Sequence, residues 1–164
     1  MSAQSSDEPI AVGDEVPSWT MDAVDAARMK TMAAILRDPY PVHWDREANI
    51  LIGLGDRVVN QGPLNVGYIA NMLMAWAGPS SVRRLTLSFG RPVLDGDHVT
   101  AHGVVTATHL HPGATASEMN TTIAVCDVWL ERGDERVVTG TAIIDTTAIT
   151  RTGNSSQRAK DIEK

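Results

Sequence analysis

The chain has 164 residues and a mass of 17.6 kDa, enough for one domain with a single sizeable core. Apolar residues at 43% and charged residues at 21% exclude a disordered chain, which is poorer in apolar groups. A net charge of −6 with a pI near 5.2 excludes broad electrostatic binding to nucleic acid or anionic membrane, and a single cysteine, Cys126, excludes an intramolecular disulfide.

The opening residues, Met1 to Glu8, are polar and acidic and lack the charged start and apolar stretch of a secretory signal. No apolar run nears the roughly 20 residues that span a bilayer, so the expectation is a soluble cytoplasmic protein. Residues 1–9 and 148–164 read as a disordered lead and tail, and residues 10–147 as one folded domain. Asp22 is placed to cap a helix whose Met29, Met32, Ala33 and Leu36 follow helical spacing. Pro39 disfavours helical geometry at Asp38, which puts that carboxylate at a helix exit. The stretch Pro39-Tyr40-Pro41-Val42-His43 is stiffened by two prolines, which fix φ and remove two backbone donors.

Residues 63–77 carry no charge and are apolar on nearly every face, which predicts a helix buried inside the protein. Gly62 and Pro63 suit its start, and Gly78-Pro79 its end. Beyond it the apolar period changes to two. Leu85, Leu87 and Phe89 form one alternating run; Val99, Ala101, Gly103, Val105 and Ala107 form a second. Ala124, Cys126, Val128 and Leu130 form a third, and Val138, Gly140, Ala142 and Ile144 a fourth. Reversing turns are expected at Asp95-Gly96-Asp97 and Arg132-Gly133-Asp134. Four successive strands joined by turns predict an antiparallel meander with one buried face. Closed over the apolar helix, this gives an α+β hot-dog fold, a curved antiparallel sheet wrapped around a buried central helix.

Asp38 and His43 fall in the pattern Asp-x-x-Pro-x-His, followed by Trp44-Asp45. Val12-Gly13-Asp14, Gln61-Gly62, Ala75-Trp76-Ala77-Gly78 and the stretch from Pro92-Val93 to Gly96-Asp97 accompany it. On these residues the chain resembles the MaoC-like, (R)-specific enoyl-thioester hydratases and dehydratases over most of its folded region. It departs from their usual pattern at Arg37, Tyr40 and Gln61, where glycine, asparagine and histidine are common.

Adding water across an α,β-unsaturated thioester requires a base for the water, a proton for the α-carbon and a partner for the enolate oxygen. The resemblance implies that Asp38 and His43 are the catalytic pair gripping one water, and that the backbone N–H of Gly62 serves the oxyanion. A helix start offers unpaired N–H groups, and Pro63 has none to give. Tyr40 and Gln61 are expected to contact substrate, and Arg83, Arg84 and Arg91 to meet the phosphates of coenzyme A or phosphopantetheine. The resemblance further implies an acyl-thioester substrate, no metal or redox cofactor, and a homodimer or a heterodimer with a related hot-dog subunit. Two alternatives stand beside it: a non-catalytic partner subunit and a hot-dog acyl-thioesterase. The latter commonly places a carboxylate on the central helix, where residues 63–77 have none. His109-Leu-His111 has a ligand-like spacing but no third ligand nearby, so no metal site is expected. Cys126, on an apolar strand face, is expected to pack rather than react.

Overall fold

A computed structural model describes residues 10–110, 122–147 and 149. The predicted lead at 1–9, His111 and, Ile149 apart, the predicted tail at 148–164 lie outside the described residues. In chain order the elements are β1 (Glu15–Met21), α1 (Ala26–Leu36), a 3-10 turn (Pro41–His43), α2 (Arg46–Leu51), α3 (Gly62–Ala77), β2 (Val82–Phe89), β3 (Val99–Leu110), β4 (Thr122–Arg132) and β5 (Glu135–Asp145).

The strands make one antiparallel sheet in the order β1-β3-β4-β5-β2, packed around α3. On β4, Ala124, Cys126, Val128 and Leu130 are all buried, as the period of two requires. On β3 the same holds for Val99, Ala101, Gly103 and Val105, until a register break between Val105 and Ala107 takes Ala107 out of phase. α3 meets the sheet with Asn65, Tyr68, Ile69, Met72, Leu73 and Ala77, while Asn71 and Ala75 are exposed. The predicted burial on nearly every face is thus corrected to a broad stripe. No helix among the described residues is long and apolar enough to cross a membrane.

Only β3, β4 and β5 form the predicted meander. β2 pairs with β5 at the far edge instead of with β3, because residues 90–98 do not close a hairpin. They are drawn to other segments: the Asn60 N–H donates to Val93 O (2.7 Å), the Asp95 N–H to Val58 O (2.9 Å) and the Gly96 N–H to Val24 O (2.8 Å). β1 and α2 were not apparent as elements in the pattern. Pro17 interrupts β1, and an edge strand with a register break between Val16 and Trp19 tolerates it. The cap of α1 is Asp25 rather than Asp22: Asp25 Oδ1 accepts the Ala27 N–H at 2.8 Å.

Candidate active site

The chain turns sharply out of α1. Arg37 adopts φ 52°, ψ 41°, the left-handed conformation that glycine enters most easily. Its own N–H donates to Ala34 O at 3.2 Å and that of Asp38 to Ala33 O at 2.9 Å, so the left-handed step satisfies two terminal carbonyls. The reversal carries Asp38 off the helix, where Asp38 Oδ1 accepts the Tyr40 N–H at 3.0 Å. That contact leaves Oδ2 to face His43, whose Nε2 lies 3.6 Å away. The two side chains are 26% and 16% exposed, partly withdrawn from solvent yet reachable. A gap of 3.6 Å is too long for a direct hydrogen bond but suits two groups that share one water.

The other nitrogen of the imidazole fixes its tautomer. His43 Nδ1 lies 2.7 Å from Val59 O, and since a carbonyl only accepts, Nδ1 carries the proton. In the neutral ring Nε2 is then a bare acceptor turned to Asp38. Tyr40 stands edge-on to His43, with ring centroids 6.4 Å apart at 78°, and is largely exposed.

Val59 is three residues from Gly62, where α3 begins. Leu64 and Asn65 both spend their N–H groups on Gln61 O, at 3.0 and 3.2 Å, and Pro63 has none. Gly62 therefore holds the one N–H in the first turn with no acceptor among the described residues. Its lack of a Cβ also eases the helical conformation that a residue before proline otherwise avoids. The ring of Phe89 lies over it, 3.6 Å from where a Cβ would stand.

The remaining expected site residues divide. Gln61 is buried and its Nε2 donates to Met29 O at 2.9 Å, so it ties α1 to the start of α3. The three arginines expected to meet substrate phosphates do not converge on one point. Arg83 is bound to Asp145 at 2.6 Å, beside the C-terminal end of α3. Arg84 is exposed next to it, and about 17 Å of strand separates it from Phe89 at ~3.3 Å per residue. Arg91 lies beyond Phe89, with Nε 3.2 Å from Glu135. A cleft of about 450 Å³ opens instead between Lys30, Ala33 and Ala34 of α1 and the Asp38-Pro39 turn, with Trp44 at its wall.

Charge pairs brace the segment leading to α3. Asp95 Oδ1 accepts the Val58 N–H at 2.8 Å and its Oδ2 pairs with Arg46. Asp97 is bound by Arg57 at 2.7 Å and Arg132 at 3.1 Å. Burial pushes the Asp97 carboxyl up, but the Leu94 N–H and the two guanidiniums together outweigh it and hold the group below the usual carboxylate range. Cys126 is fully buried, and burial, aided by Asp127, pushes its thiol up to about 11, so it packs as an inert side chain.

An antiparallel sheet enclosing one helix, with a carboxylate and an imidazole facing each other near the start of that helix, defines a hot-dog protein of the hydratase and dehydratase kind. The MaoC like domain matches residues 9–127, and the chain belongs to that family. Among solved structures, the (R)-hydratase from A. caviae involved in PHA biosynthesis is 28% identical with a TM-score of 0.66, over 87% of this chain and 98% of that one. The ChsH1-ChsH2 complex from Mycobacterium tuberculosis is 23% identical with a TM-score of 0.66, over 83% and 98%. The R-hydratase PhaJ1 from Pseudomonas aeruginosa is 22% identical with a TM-score of 0.66, over 84% and 82%. The last two share the fold with this chain. No curated protein matches it by sequence.

Proposed function

We propose that the chain is an (R)-type 2-enoyl-thioester hydratase, or 3-hydroxyacyl-thioester dehydratase in the reverse direction, acting on acyl groups carried by coenzyme A or an acyl carrier. The observation that carries this reading is the pair Asp38 Oδ2 and His43 Nε2, 3.6 Å apart, with the imidazole oriented by Val59. One water held by both acceptors has its oxygen lone pair free for C3 of the substrate. As the C3–O bond forms, a proton passes from the water to the Asp38–His43 pair, and the π electrons move toward the thioester oxygen. The Gly62 N–H, backed by the α3 dipole, is the donor suited to that oxygen. The pair returns a proton to C2, so the sum is one water added and no net redox change. Base, acid and oxyanion donor are all supplied by the chain, and the scheme draws on no metal or redox cofactor. The (R) assignment leans on the A. caviae relative, an (R)-hydratase.

A second reading has the chain as a non-catalytic subunit that completes a heteromer. The exposed apolar side chains Ile50, Leu51, Ile52 and Leu54, the last two just past α2, favour a partner, as does likeness to a structure of two different subunits. Following the absorbance of the conjugated enoyl thioester separates the readings. The purified chain is expected to bleach a 2-enoyl-CoA with (R)-3-hydroxyacyl-CoA as product. No change alone, with activity only beside a partner and unaffected by Asp38→Asn, supports the second reading. Thiol release from a saturated acyl-CoA supports a thioesterase and defeats both.

A further inference from the structure

The proposed hydration needs His43 to present a bare Nε2 to the shared water, and Asn49 stands behind that requirement. Asn49 lies in α2, fully buried although polar. Its Nδ2 donates to Val42 O and to Arg57 O, both at 2.9 Å, which spends both amide protons. Val42 immediately precedes His43, and its carbonyl also accepts the Val59 N–H at 2.9 Å. Arg57 lies two residues before Val59, whose carbonyl receives the His43 Nδ1 proton at 2.7 Å. Asn49 thus clips together the two stretches of chain whose spacing sets the histidine's tautomer. From the other side the same stretch is held by Asp95, through the Val58 N–H at 2.8 Å. Asn49 Oδ1 is buried and finds no donor among the described residues. An apolar side chain of that size avoids this cost, so the amide at this position is accounted for by what its two donors hold.

We propose that Asn49 is a positioning residue of the active site. It holds Val42 and Arg57 so that the Val59 carbonyl keeps the proton on His43 Nδ1 and leaves Nε2 open toward Asp38. It acts through His43 and does not touch the substrate. The inference rests on the hydration reading for its effect on rate, but its structural content is measurable without turnover.

The test is long-range ¹H–¹⁵N NMR of ¹⁵N-histidine-labelled protein, with the His43 signals assigned by their loss in His43→Gln, alongside hydration kinetics. In wild type, neutral His43 is expected as a single tautomer protonated on Nδ1. Asn49→Ala is expected to give a mixture of tautomers and to lower kcat by about 10–100-fold with KM within about twofold, as for loss of a residue that orients a ligand histidine. Retention of the single Nδ1–H tautomer and of kcat in a folded Asn49→Ala overturns the proposal. Should that variant not fold, the wild-type spectrum decides: a neutral His43 protonated on Nε2, or an even mixture, overturns it. An inactive wild type whose tautomer still shifts in Asn49→Ala supports the clamp and counts against the reaction instead.

Discussion

Arg37 bears the conformational cost of turning the chain at the end of α1. A left-handed backbone costs an L-residue roughly 1–2 kcal/mol relative to its right-handed form, and glycine escapes most of this. Nothing else holds the Arg37 side chain in an ion pair among the described residues. Arg37→Gly is therefore expected to stabilise the fold by about 1 kcal/mol in chemical denaturation, with an unchanged m-value. Equal or lower stability contradicts the account of this turn. At the same scale the nearness of Asp38 and His43 was legible, because a short stretch stiffened by two prolines joins them, whereas their pairing on one water was what the family resemblance implied. The group that orients His43 was not, since Val59 contributes a carbonyl, which every residue has. Asn49 was equally silent, as its partners are two backbone oxygens at positions 42 and 57.

Among the elements, the period of two and the uncharged helix were enough to anticipate a sheet around a buried helix, because burial on one face writes itself into alternate residues. Strand order was hidden for the opposite reason. Residues 90–98 contain a Gly/Asp turn that looks local, yet its neighbours are set by hydrogen bonds to positions 24, 58 and 60. β2 consequently lies against β5, and Gly140 is what lets it approach. A Cβ at Gly140 stands 2.0 Å from Thr86 O and 2.8 Å from Leu87 Cδ2, distances no packing accommodates. Gly140→Ala is expected to cost about 3 kcal/mol or more by forcing the edge strand away. Urea titration checks this: a loss under ~1 kcal/mol means that the β2–β5 register is not as described. Gly103 is a milder case, with Val16 Cγ2 at 3.0 Å, Val16 Cβ at 3.2 Å and Met72 Cε at 3.3 Å, where the flexible Met72 end can yield but the stiff Val16 cannot without a shift of its strand.

For the whole molecule, acid stability tests how the edge of the sheet is secured. Asp145 at the end of β5 is held at 2.6 Å by Arg83 of β2. The Arg83 guanidinium, with Thr147, pulls the Asp145 carboxyl down to about 2. A folded-state pKa below that of the unfolded chain gives stability that is whole above about pH 4 and is lost as pH falls toward 2. Because Arg83 is 57% exposed, solvent screening reduces the contribution to about 1 kcal/mol. Asp145→Asn is expected to be less stable at neutral pH and to show a flatter decline between about pH 4 and about pH 2. An unchanged acid limb in that variant contradicts the pairing.

Above all, the proposed hydration requires the carboxylate of Asp38 and the imidazole of His43, 3.6 Å apart, to work as one unit on a single water. Hydration kinetics of wild type, Asp38→Asn, His43→Gln and the double variant on a 2-enoyl-CoA test this most directly. Each single change is expected to lower kcat by about 10²–10⁴-fold, and the double change no further than the worse single one. A folded Asp38→Asn that hydrates at the wild-type rate, or losses that multiply independently, contradicts the shared-water pair.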